Sequence, residues 1–151
     1  MSRWNRGSGT IDDLLAQRHL DRVTGAAAVG DPWLRQADRK LNTAKQIVDD
    51  DPESAFCLAY DAARFAGTAL LAQQGLRPTQ AGGHTAVSDA VRDQFGGSFA
   101  QLGTLRRRRN ELEYPAFPGE QAEPAEAKAA IAAAEQILSD GRRLIEHPGL
   151  Y

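Results

Sequence analysis

The sequence holds one cysteine, Cys57, inside an apolar run. It therefore has no disulfide framework and none of the paired spacing of a zinc finger, and this usage suits a reducing compartment, so the chain is expected in the cytoplasm. An excess of either charge is also missing, since 18 basic against 20 acidic side chains leave a net charge of −2. That excludes a protein that coats nucleic acid by bulk charge, so any nucleic-acid contact must be local. His19, His84 and His147 lie in separate segments without paired ligand spacing. No metal site and no cofactor is expected, and all three read as surface histidines. Gly82-Gly83-His84-Thr85 lacks the Gly-Lys-Ser/Thr ending of a phosphate-binding loop and reads as a helix start. The serines have no nucleophile-elbow context. Arg3 and Arg6 are followed by no apolar stretch, so no signal peptide is evident. No run of alternating β-branched residues is found, and a sheet is not expected.

One long apolar run does occur. Residues 54–74 carry only Asp61 and Arg64 as charged side chains, and the length alone would span a bilayer. The segment is rich in Ala and Gly, has opposite charges at its middle and lacks flanking aromatic or basic anchors. It reads as the central helix of a bundle, apolar on all sides, with no membrane partner.

A chain of 151 residues fits one domain with a single core. The expected division is a flexible tail over 1–9, including Trp4, and one helical domain over 10–151. Asp31-Pro32 and Asp51-Pro52 each open a helix, with the aspartate as cap and proline in the first turn. Leu34, Ala37, Leu41, Ala44 and Val48 recur at spacings of three and four and give the first of these an apolar stripe. The second runs to Gly75, a natural stop. After a loop with Pro78, Gly82 and Gly83, a short helix is expected over 84–95, ending at Gly96 and Gly97. Ser98 is placed to cap the next, which carries Phe99, Leu102, Leu105 and Leu112 and must end near Tyr114 because Pro115 follows. The last helix starts near Pro124, shows Ile131, Ala134, Leu138, Gly141 and Ile145 at bundle spacing, and ends before Pro148. A leading helix is expected over 11–23 with Thr10 as its cap. Trp33 and Phe56 are expected in the core, and the acidic Asp49, Asp50, Asp51 and Glu53 form a solvated turn. The fold class is all-α, an up-and-down four-helix-type bundle with an extra short helix.

The stretch Arg106-Arg107-Arg108-Arg109-Asn110-Glu111-Leu112-Glu113-Tyr114 is the distinctive feature. Each helical residue advances by about 100°, so four consecutive arginines sweep most of the circumference and cannot all face water. Arg109 falls on the centre of the stripe made by Phe99, Leu102, Leu105 and Leu112. Arg106 and Glu113 flank it, whereas Arg107, Arg108 and Glu111 point away. A guanidinium is always charged and is rarely buried without a partner. Glu113, one turn on, and Asp61, across the bundle, are its two carboxylate options. Arg64, three residues from Asp61, shares that face.

The order of elements from Trp33 to Glu146 resembles the HEPN superfamily, the higher eukaryotes and prokaryotes nucleotide-binding domain. The match rests on a leading amphipathic helix, an Ala-rich second helix containing Tyr60, Asp61 and Arg64, and an Arg-Asn motif, Arg109-Asn110, late in a following helix. The resemblance implies a homodimer with RNA or a nucleotide in an interface cleft. In ribonuclease members, Arg and a His after a gap of four to six residues promote metal-independent cleavage, in which the RNA 2′-hydroxyl attacks its own phosphate. Here a four-residue gap leads from Arg109 to Tyr114 instead of a histidine, a departure at a catalytic position. A phenol with ordinary pKa near 10 is a poorer proton shuttle at neutral pH than an imidazole near 6.5.

The resemblance assigns Arg109, Asn110, Glu113 and Tyr114 to a catalytic site, Arg106, Arg107 and Arg108 to steering of nucleic-acid phosphate, and Asp61 and Arg64 to support. It further implies a toxin–antitoxin or defence module with a nucleotidyltransferase-type antitoxin as partner. The alternative is a non-catalytic HEPN-like interaction module, a partner or antitoxin subunit, in which the Arg109 network is structural.

Overall fold

The computed structural model describes residues 6–146. Trp4, Arg3, His147 and Pro148 lie outside the described residues. In chain order the elements are α1 (Ser8–Ala16), β1 (Leu20–Arg22), α2 (Asp31–Ile47), α3 (Pro52–Gln73), β2 (Leu76–Pro78), α4 (Gly83–Phe95), α5 (Leu102–Glu113) and α6 (Pro124–Ile145), with 3-10 turns at Gly25–Ala28 and Gly97–Gln101. This is an all-α bundle built around α3, which packs most extensively on α6 and α2 and also meets α4 and α5.

The sequence makes α3 the centre because it offers an apolar or small side chain on every face. Ala55, Ala59, Ala62, Ala63, Ala66, Ala69 and Leu71 have no solvent exposure, and small side chains let neighbouring helices approach closely. At Gly67 an added Cβ would stand 2.9 Å from Val87 Cγ1, so α4 could not keep its present approach. By length and composition α3 could cross a membrane, but 72% of its apolar window is buried inside the bundle. Asp51 caps α3 by accepting the Ser54 N–H at 3.2 Å, and the Ser54 side chain first and this N–H second hold its carboxyl below the usual range. The α2 stripe of Leu34, Ala37, Leu41, Ala44 and Val48 is buried throughout, as are Ile131, Ala134, Leu138 and Gly141 of α6. Phe56 is buried, and Trp33 packs edge-on against Phe65 at 5.2 Å.

Three local expectations are corrected. Ser8 and Gly9, expected in the tail, are the first residues of α1. The expected helix over 11–23 stops at Ala16, the chain reverses through Arg18 at φ 60°, and residues 20–22 pair antiparallel with 76–78. A two-stranded ribbon thus exists where no sheet was expected. Neither hydroxyl expected as a helix cap acts as one: Thr10 donates to Asp93 on α4, and Ser98 donates to Asp140 on α6 at 2.6 Å. Both instead tie elements together across the bundle.

Candidate functional site

Three helices converge on one polar spot. From α3 come Tyr60, Asp61 and Arg64, whose spacings of three and four put them on one face. From α5 come Arg106, Arg109 and Glu113, again at spacings of three and four. From the first turn of α4 comes His84. Tyr60 has no solvent exposure and forms the floor. The Arg109 guanidinium carbon stands 5.9 Å from the centre of its ring, and the His84 ring lies 5.6 Å away at 45°.

The ion pairs here are incomplete. Arg109 Nη2 meets Glu113 Oε1 at 3.1 Å, with the Arg109 side chain 18% exposed. Asp61, the other expected partner of Arg109, pairs with Arg64 at 3.5 Å, and Arg64 also lies over the Phe65 ring. Arg106 makes no ion pair among the described residues. The Nε groups of Arg64, Arg106 and Arg109 are buried without a hydrogen-bond partner, and so is the Tyr60 hydroxyl. Leaving such groups unsatisfied ordinarily costs about 1–3 kcal/mol each, so four in one place require an explanation.

Burial governs the protonation states. It pushes the Tyr60 phenol up to about 12, against the opposing pull of Arg64 and Arg106, so Tyr60 stays a hydrogen-bond donor. Burial also lowers the pKa of His84 from its ordinary value, and the nearby charges of Arg64 and Arg109 lower it further, which favours neutral imidazole. Beside the cluster, Glu53, Cys57, Asp61, Leu112 and Glu113 line an open cavity of about 330 Å³. The Cys57 thiol there is raised to about 11, by burial first and Glu113 second, which leaves it a poor nucleophile. Among the described residues no group of His, Cys, Asp and Glu is arranged to hold a metal ion.

The structure therefore brings together Arg106, Arg109, Glu113, Asp61 and Arg64. Asn110 is half-buried, and its carbonyl accepts the Tyr114 N–H at 2.8 Å. Tyr114 does not join the cluster: it caps α5 at its C-terminal end and is 76% exposed. Arg107 is exposed and reaches Thr104. Arg108 is not free to steer phosphate, because Glu126 at 2.6 Å, Glu120 at 2.7 Å and Glu111 at 2.9 Å surround its guanidinium. Two residues of the spot, Tyr60 and His84, had no role in the sequence reading of the site, and His84, expected at the surface, is half-buried against Tyr60. Tyr60 could have been found from its position one turn before Arg64, but the fold alone carries His84 to it.

A family profile described as the HEPN domain matches residues 31–144. The chain belongs to the HEPN family. This is a family of nucleotide-binding and ribonuclease-like domains that often dimerise. The matched span includes every helix of the polar spot and excludes α1 and β1. Among curated proteins and solved structures, none matches this HEPN chain.

Proposed function

We propose that the chain binds RNA by taking a backbone phosphate at the spot formed by Tyr60, Arg64, Arg106 and Arg109, and that it cleaves the RNA without a metal. The observation that carries this reading is the convergence of four buried donors without partners, three of them on guanidinium groups. Arginine offers only donors, and a phenol held protonated donates as well. The complementary ligand is acceptor-rich and anionic, which describes a phosphate. Membership of a nucleotide-binding and ribonuclease-like family makes RNA the phosphate ester of choice. Guanidinium groups placed around a phosphate also stabilise the extra charge of a pentacoordinate phosphorane. A homodimer, a cytoplasmic setting, a toxin–antitoxin or defence role and a nucleotidyltransferase-type partner are the finer parts of the same reading.

Fluorescence anisotropy with labelled single-stranded RNA tests it. Arg109→Ala and Arg106→Ala are each expected to weaken binding about tenfold or more, the cost of one lost charge-assisted contact. Arg107→Ala, outside the spot, is expected to change affinity little. Absence of RNA binding by the unaltered protein would sink the reading.

The Arg109–Glu113 pair within one helix favours a second reading, a non-catalytic interaction module in which the arginine serves stability. In that case Arg109→Ala lowers the melting temperature and leaves RNA affinity unchanged.

A further inference from the structure

A phosphate site needs a proton-moving group before it can break RNA, and the family position for it holds Tyr114. That side chain faces solvent at the end of α5, away from the buried donors. Another imidazole is at hand. His84 is the second residue of α4, half-buried, with its ring against the Tyr60 floor over which Arg109 also stands. The charged groups that act on it are Asp61 and Arg64 from α3 and Arg106 and Arg109 from α5, and the first turn of its own helix has no acidic residue. Three cations and one carboxylate thus act on an imidazole whose ring lies against Tyr60.

We infer that His84 is the catalytic proton-transfer residue of this site, supplied by α4 and not by the helix that bears the arginines. The inference rests on the RNA reading above. In the reaction, a ring nitrogen of His84 takes the proton of the ribose 2′-hydroxyl as the 2′-oxygen bonds to phosphorus. Arg64, Arg106, Arg109 and the Tyr60 hydroxyl hold the non-bridging oxygens. The bond from phosphorus to the 5′-oxygen breaks, and the imidazolium returns the proton to that oxygen. The products are a 2′,3′-cyclic phosphate and a 5′-hydroxyl, with no net change in protons. The depressed proton affinity of His84 fits the first step, because the imidazole is neutral, and so able to accept, at pH 7.

The test is RNA cleavage by the full chain in the presence of EDTA, followed against pH, with RNA affinity measured in parallel. The unaltered protein is expected to give cyclic-phosphate ends, no cleavage at a 2′-deoxy linkage, and a rate that rises with pH through a midpoint below 6.5, the ordinary histidine value. His84→Gln is expected to lose that limb and about 100-fold or more in rate, while RNA affinity stays within about threefold. Added imidazole is expected to restore part of the rate to His84→Ala, an effect that a merely structural histidine would not give. Cleavage by His84→Gln at the original rate overturns the inference while leaving the RNA reading in place, whereas bound RNA left whole by the unaltered protein at every pH overturns the inference together with the cleavage half of that reading. Failure to bind RNA at all would instead strike the underlying reading.

Discussion

The Tyr60 hydroxyl is a donor with no partner, on a side chain that solvent does not reach. An apolar ring of the same shape would avoid that cost, so the unliganded protein is less stable than it needs to be at this position. Tyr60→Phe is therefore expected to raise the melting temperature by about 2 °C or more, taking an orphan buried hydroxyl at roughly 1 kcal/mol. The same change is expected to weaken RNA binding several-fold through one lost hydrogen bond. Calorimetry and anisotropy on one preparation check both signs. A drop in stability together with unchanged affinity would mean that the hydroxyl serves the fold and not a ligand. Single residues also mark where sequence reading reaches its limit. The inward position of Arg109 was legible because helix geometry alone fixes it against Leu102 and Leu105. Tyr60 and His84 were not legible as a pair, because their proximity is created by the packing of α4 on α3.

At the scale of elements, Arg108 joins the second half of α5 to the start of α6. Its guanidinium takes Glu111 from its own helix, Glu120 and the Gln121 carbonyl from the connecting loop, and Glu126 from the first turn of α6. Those carboxylates raise its proton affinity strongly, so it stays charged under all ordinary conditions. Removing it leaves three glutamates facing one another, which costs more than the lost attraction. Arg108→Ala is expected to lower the melting temperature by several degrees, about 2–4 °C per kcal/mol at this chain length. Thermal melts of the variant beside the unaltered protein at pH 7 check it. The positions of α2, α3 and α6 were legible because a first-turn proline and apolar spacing agree over many turns, although Gly30 and not the expected Asp31 stands at the cap of α2. The ribbon of β1 and β2 was not, since three residues are too few to show a period. Thr10 and Ser98 look like caps in sequence because cap chemistry and cross-bundle bonding use the same hydroxyl.

For the molecule as a whole, a net charge of −2 coexists with a cationic spot of three arginines. Binding that engages those three and little else should depend on salt weakly. A plot of log affinity against log salt is expected to have a slope of about −0.7, the value for one phosphate on a single strand. A slope steeper than about −5 would mean that a much larger basic surface takes part. The segment before residue 31 adds a constraint of a different kind. It lies outside the matched family span, yet Thr79 donates its N–H to the His19 carbonyl and its hydroxyl to the Arg18 carbonyl, and the same hydroxyl accepts the Gly82 N–H. A Cβ at Gly82 would collide with the His19 carbonyl. The turn that launches His84 is thus moulded on residues 18 and 19. Two proteins alike from 31 to 144 but different ahead of residue 31 would inherit the arginines without inheriting the pose of the imidazole, so kinship across the shared span transmits the anchor and leaves the chemistry to be acquired separately.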